Sequence, residues 1–280
     1  MPQLSELNGV ERPVCEWLSK MGWNYVSLED LQFFNRPFSN PIIEPILLEK
    51  IKDFNGLTDN DAQSVLETLT QNLNNPTAID GNEKFLKRLV EGTTINIQGE
   101  PKDCKYIDFE NIWNNDFKVT QQYWVQGYKM VKTDIVLLVN GIPLVPIEAK
   151  QRARKGTNWL EGVKQFSTYQ QRATQFWMSH CFAVACNGRI TKYGIPGASA
   201  SYFNEWKDSI IDTSFDNPIL APGNDLCEWE EKDGYKHFKI KYLRASDGKL
   251  IPEEQMKWGI LGLLQPARVL DILQHFIVFE

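Results

Sequence analysis

The stretch TDIVLLVNGIPLVPIEAK, residues 133–150, constrains the fold more than any other. Two runs rich in Val, Ile and Leu flank Asn140–Gly141, a strong signal for a hairpin turn between strands. Pro143 and Pro146 mark the second strand as irregular or as a sheet edge. Three charges stand out on this apolar ribbon: Asp134 near one end, Glu148 and Lys150 near the other. Glu148 and Lys150 are two apart, so on a strand they point to one face. A strict two-residue turn pairs Val139 with Ile142, sets residue 134 opposite 147, and turns Asp134 away from Glu148. One bulge, or a three-residue loop with Gly141 in a left-handed position, restores the alignment. The expectation is therefore an irregular hairpin with both carboxylates on one face.

The rest of the chain supplies a setting for that hairpin. Residues 10–21 show helical apolar spacing, with Pro13 in the first turn, and GWNYVSL follows as a strand. Residues 42–91 read as a helical block, with Thr58 and Asn82 as N-caps and Gly92 as a C-cap. From Thr93 the texture changes. TTINIQG, KYIDFEN and FKVTQQYWVQ precede the hairpin as strands, NWLEGVKQFSTYQQRATQFW follows it as a helix, and FAVACNG and RITKYG are further strands. This order predicts an α/β or α+β protein, a central sheet with helices on its faces and an inserted helical block. The ending GILGLLQPARVLDILQHFIVFE is apolar enough to want a neighbour, and reads as the point where a longer protein continues.

Composition excludes several classes. No run approaches the roughly 18 apolar residues of a membrane span, and MPQLSELNGVERPV lacks the pattern of a signal peptide. Five cysteines without CxxC spacing read as reduced thiols of a cytoplasmic protein, and three scattered histidines argue against zinc. Net charge is −6, yet residues 118–172 hold nine basic and three acidic side chains, a local +6. Such a segment suits a phosphate backbone, although a solvated lysine-rich face has the same composition.

Two carboxylates held together on an apolar sheet repel, and a cation is the natural solution. Oxygen donors without His or Cys nearby point to Mg²⁺, with Asp134, Glu148 and the backbone carbonyl of Ala149 as ligands. Lys150 beside them would orient a water and offset charge developing on a phosphoryl group. A structural ion pair of Lys150 with Glu148 or Asp134 fits the same spacing. Gln165 and Tyr169 are four apart on the following helix and share a face, where both can hydrogen-bond a water or a phosphate oxygen. Arg152, Arg154, Lys155 and Lys164 are candidate contacts to a phosphate backbone, with a solvated surface as the alternative.

Asp134, Glu148-Ala149-Lys150 and Gln165-x-x-x-Tyr169 together resemble the PD-(D/E)xK nuclease superfamily in its variant with a QxxxY motif, with Thr133 in place of the usual proline. The segments VERPVCEWLSKMGW, NEKFLKRLVEGTTI, TDIVLLVNGIPLVPIEAKQ and GVKQFSTYQ further resemble the N-terminal part of the R subunit of type I restriction enzymes, over most of residues 5–195. The resemblance implies a restriction-endonuclease-like core over residues 1–200 and, over 201–280, an extension toward helicase-like motor domains. It implies Mg²⁺-dependent cleavage of double-stranded DNA, with modification and specificity subunits as partners. It also places Glu11 near the metal, where a charge favoured by the helix dipole is the alternative. No GxxxxGK[ST] occurs, so ATP enters only through motor domains absent from this chain. A free-standing repair or recombination nuclease, and an inactive nuclease-like module that binds DNA or partner subunits, are the rival readings.

Overall fold

The computed structural model describes residues 7–75, 77–151, 158–207, 218, 224–232, 234–241 and 252–277. Its centre is a mixed six-stranded sheet. Strands β1 (Asn24–Tyr25), β4 (Phe117–Gln126), β5 (Met130–Val139), β6 (Ile142–Ala149), β7 (Ala183–Cys186) and β8 (Thr191–Gly194) lie side by side in that order. The β1–β4 and β6–β7 pairs are parallel and the other three antiparallel. Two small hairpins stand apart from it, β2 (Thr93–Ile97) with β3 (Glu100–Cys104) and β9 (Cys227–Lys232) with β10 (Tyr235–Ile240). The KYIDFEN run is not a strand: Tyr106, Ile107 and Asp108 are buried in a loop whose Asp108 caps the backbone of Glu110 and Asn111.

The β5–β6 hairpin resolves its own conflict in a definite way. The turn is the tight one, with Val139 opposite Ile142 and positive φ at Asn140 (52°) and Gly141 (79°), as a type I′ turn requires. The register then shifts between Leu137 and Leu138, so Leu144 is the extra residue of a bulge, and Ile135 faces Ile147. Both prolines sit beside this irregularity, in a strand at the sheet's interior rather than at its edge. Every residue of β6 is buried.

Helices pack around the sheet. The first helix, α1 (Arg12–Lys20), carries Pro13 in its first turn, buries Val14, Cys15 and Leu18, and rests on β4. A short α2 (Leu28–Phe33) also lies against β4. The helical block consists of α3 (Glu44–Asn55), α4 (Asp59–Thr70) and α5 (Ala78–Glu91). Thr58 caps α4 by accepting from the amide of Asp61, and Gly92 ends α5 with φ 76°. Asn82 is not a cap: α5 begins a turn earlier, and the buried Asn82 amide donates to the carbonyls of Met178 and His180. Gly81 beside it allows the approach, since a Cβ there would strike Met178.

Beyond the hairpin come α6 (Trp159–Arg172), which covers β5, β6 and β7, and the short α7 (Thr174–Trp177). At the end of the chain α8 (Pro252–Leu263) and α9 (Pro266–His275) find their apolar neighbours inside this protein. Ile260, Leu261, Leu264, Val269 and Leu270 are buried, α8 packs on α1 and β8, and the Trp23 indole donates to the Leu264 carbonyl at 2.8 Å. Cys15, Cys104, Cys181 and Cys186 are free and buried. No helix among the described residues is long and apolar enough to cross a membrane.

Candidate active site

The bulge at Leu144 decides the chemistry at the far end of the hairpin. Continuing the register from Ile135–Ile147 sets Asp134 opposite Glu148, on one face. Parallel β7 holds the end of β6 from the other side, pairing Glu148 with Ala185 and taking the Lys150 amide on the Cys186 carbonyl at 2.9 Å. The Ala149 amide donates to Asp134 Oδ2 at 2.9 Å, and in an extended strand the carbonyl of a residue points the way its amide does. Lys150 Nζ closes the group, 3.3 Å from Asp134 Oδ2 and 3.1 Å from Glu148 Oε2.

This cluster is nearly sealed. Glu148 is 0% exposed and Asp134 8%. Burial, and then the neighbouring Asp134, raise the pKa of Glu148 well above the usual carboxylate range, against the pull of Lys150 and Tyr169. Burial alone would depress Lys150, but Glu148 and Asp134 outweigh it, and the ammonium is held charged above its ordinary range. The Tyr169 hydroxyl donates to Glu148 Oε1 and lies 3.1 Å from the Lys132 carbonyl. Burial and then Glu148 push that phenol's pKa up as well.

Helix α6 reaches this close because of Gly162, one face with Gln165 and Tyr169. A Cβ at Gly162 would lie 3.0 Å from the Glu148 Cβ. Gln165 Oε1 is buried and meets no donor among the described residues, an acceptor waiting for a water or other donor. Lys164 is on the exposed side of the same helix. Arg152, Arg154 and Lys155 lie outside the described residues.

Glu11, at the N-terminus of α1, is 3% exposed. Its Oε2 accepts from Gln121 Nε2 at 3.2 Å and from Gln122 Nε2 at 3.0 Å. Successive strand residues ordinarily point to opposite faces, but Gln122 has φ 55°, a left-handed value rare for a residue with a side chain. The kink lies where β4 passes Asp134, between the pairs Gln121–Ile135 and Tyr123–Thr133. Burial raises the pKa of Glu11, the Gln122 hydrogen bond offsets part of this, and Asp134 adds to it.

Two carboxylates and an adjacent backbone carbonyl offer hard oxygen donors, which suit a divalent cation with several waters. Among the described residues no group of three or more His, Cys, Asp and Glu side chains is arranged to hold a metal ion; Glu11 lies near enough to Asp134 to feel its charge. Sequence reasoning brought together Asp134, Glu148, Lys150 and Tyr169 correctly as neighbours. It missed Gly162, Gln121 and Gln122. An isolated glycine in a helical pattern is a packing signal; nothing in the sequence announces the kink at Gln122.

A family model described as the type I restriction enzyme R protein N terminus matches residues 3–201. Among curated proteins, the chain is 24% identical to the type I restriction enzyme HindI endonuclease subunit of Haemophilus influenzae, over 98% of this chain and 24% of that protein. It is 26% identical to the putative type I restriction enzyme MjaIXP endonuclease subunit of Methanocaldococcus jannaschii, over 99% of this chain and 26% of that protein. A Staphylococcus aureus type I restriction enzyme endonuclease subunit, SauMSSORF170P, matches at 26% over 66% of this chain and 19% of its own length. The chain thus spans about a quarter of the length of the first two of these relatives.

Proposed function

The chain belongs to the type I restriction enzyme R protein N-terminal family, and from that premise we propose that it is the nuclease domain of such a subunit, cutting double-stranded DNA. The observation that carries the reading is the joining of Asp134 and Glu148, from neighbouring strands, by the one Lys150 ammonium. A purely structural ion pair needs one carboxylate; a second one buried beside it raises the cost of the charged state. In this reading the core is of the PD-(D/E)xK type.

Asp134, Glu148 and the Ala149 carbonyl would hold Mg²⁺, which when bound polarises a phosphoryl oxygen and makes a water easier to deprotonate. Lys150 orients the attacking water and offsets the negative charge that grows on the phosphorus oxygens. Gln165 Oε1, buried without a donor, accepts a hydrogen bond from that water. Tyr169 fixes Glu148 against the Lys132 backbone, so the carboxylate keeps its rotamer as charge moves. Glu11, near Asp134, would stand beside that ion as a further carboxylate.

The relatives' greater length supports a larger assembly around this domain. The proposal includes ATP-driven DNA translocation by motor domains elsewhere in the subunit, residues 201–280 leading toward them, modification and specificity subunits as partners, and a cytoplasmic setting. Mg²⁺-dependent nicking of duplex DNA by the assembled complex tests it. Lys150→Ala is expected to cut at least ~100-fold more slowly, with assembly unchanged. Equal cutting by wild type and variant would remove Lys150 from catalysis and favour the structural ion pair.

A further inference from the structure

The hairpin of β4 and β5 runs outward from Asp134, and its outer part, residues 123–132, supplies no side chain to the cluster just described. Residues 117–133 hold Lys118, Lys129 and Lys132 and not one acidic residue, in a chain whose net charge is −6. Along β5, Met130, Lys132 and Asp134 alternate onto one face, so Lys132 sits about 7 Å from Asp134 on the strand, roughly one nucleotide step. Trp124 is its cross-strand partner. The Lys132 ammonium lies 5.6 Å from the Trp124 ring centroid, a cation–π pair on an exposed surface, with the indole itself 39% exposed. At the tip, Lys129 and the exposed Tyr128 repeat the arrangement at 5.9 Å.

This ribbon is held rigidly. Gly127 passes so close to the end of α6 that a Cβ there would strike the Arg172 carbonyl and Ala173. The Lys129 amide donates to the same Arg172 carbonyl at 3.1 Å, and Gln175 Nε2 to the Gln126 carbonyl at 2.9 Å. The Lys132 carbonyl lies 3.1 Å from the Tyr169 hydroxyl, which donates to Glu148. The position of Lys132 is therefore set by the same hydroxyl that sets the catalytic carboxylate.

We propose that Lys132, oriented by Trp124, holds the DNA phosphate next to the one being cut, and that the β4–β5 hairpin is a backbone guide for duplex DNA leading into the site. The assignment rests on the nuclease reading and adds to it where the strand lies. A preorganised ammonium beside an acidic pair gives a local attractive point on a protein whose overall charge repels DNA. The indole keeps the lysine from folding back onto the carboxylates and offers its edge to a deoxyribose.

Fluorescence anisotropy with a labelled 20-base-pair duplex, at low salt and in chelator, tests this in the whole chain. Lys132→Gln is expected to weaken binding roughly fivefold and to reduce the slope of log affinity against log salt by about 1. Trp124→Ala is expected to weaken binding in the same direction and Trp124→Phe to restore it. Both side chains are exposed, and unchanged thermal unfolding checks that the variants fold. Wild-type affinity and slope in Lys132→Gln would overturn the proposal, as would a wild-type chain that binds single strands but not the duplex, or neither. Mn²⁺ binding by the wild-type chain, measured without DNA, reports on the nuclease reading separately, so the two failures leave different patterns.

Discussion

The two ends of the β5–β6 hairpin are built to opposite specifications. At the turn the polar groups of the two corner residues are tied down: Asn140 donates to the Tyr106 carbonyl and Asn115 Oδ1, accepts from the Asp116 amide, and the Gly141 carbonyl takes the Ile43 amide. At the other end the same strands bury Glu148 beside Asp134, neighbouring β4 carries a left-handed glutamine at residue 122, and on α6 Gln165 Oε1 meets no donor among the described residues. One end locks the register, and the other uses that rigidity to hold a buried charged cluster together. Substitutions at the turn should therefore cost stability, and removing the buried Glu148 charge at the site should release it.

The sharpest break of this contrast is at the turn. A Cβ at Gly141 would lie 2.6 Å from the Ile43 carbonyl, at φ 79°. Gly141→Ala is expected to lose about 3 kcal/mol in urea unfolding, the sum of backbone strain and overpacking. A loss below about 1 kcal/mol would mean the turn is not the anchor described.

At the site, Gly162→Ala puts a methyl 3.0 Å from the Glu148 Cβ and is expected to cost about 1–2 kcal/mol. The cleavage rate should fall as α6 is pushed off Glu148 while the far turn is untouched. Unchanged cleavage would show that the approach of α6 is packing alone.

Glu148→Gln should move stability the other way. Folding raises the pKa of Glu148, so above its ordinary value of 4.5 the folded chain keeps a proton that the unfolded chain has lost. Stability therefore falls as pH rises through that window, until the folded group also ionises. The variant lacks this loss and is expected to gain about 1 kcal/mol over wild type at neutral pH, with no gain at pH 4. A pH-independent difference between the two would contradict the direction of the shift.

The smallest effect is expected at residue 122. Gln122→Gly relaxes φ 55° but removes a hydrogen bond that favours ionised Glu11. Stability should change by less than about 1 kcal/mol, while Glu11 takes up its proton at higher pH in a carboxylate NMR titration. A Glu11 titration that does not move would dissociate Gln122 from it.

The same contrast explains what could be read from the sequence. The turn was legible because Asn140–Gly141 carries its conformational demand in its own side chains. The bulge was legible only as a conflict, a tight turn against two carboxylates that belong on one face; Pro143 and Pro146 flagged the place, and Leu144 resolved it. Tyr169 followed from helical spacing after Gln165. Asn82 looked like a cap because its tertiary partners, the carbonyls of Met178 and His180, are almost a hundred residues away. The interior position of β6 was equally hidden, since it depends on β7 pairing in parallel after a helical crossover. Gln121 and Gln122 gave no sign at all: their convergence on Glu11 needs a backbone kink that no residue preference encodes.

The central claim is that Asp134 and Glu148 are placed to share a divalent cation as they now share the Lys150 ammonium. Anomalous diffraction from crystals soaked in Mn²⁺ measures this directly. The account predicts a peak between the two carboxylates, beside the Ala149 carbonyl, that disappears in Asp134→Ala. A peak elsewhere on the chain, or none at full soaking, would contradict it.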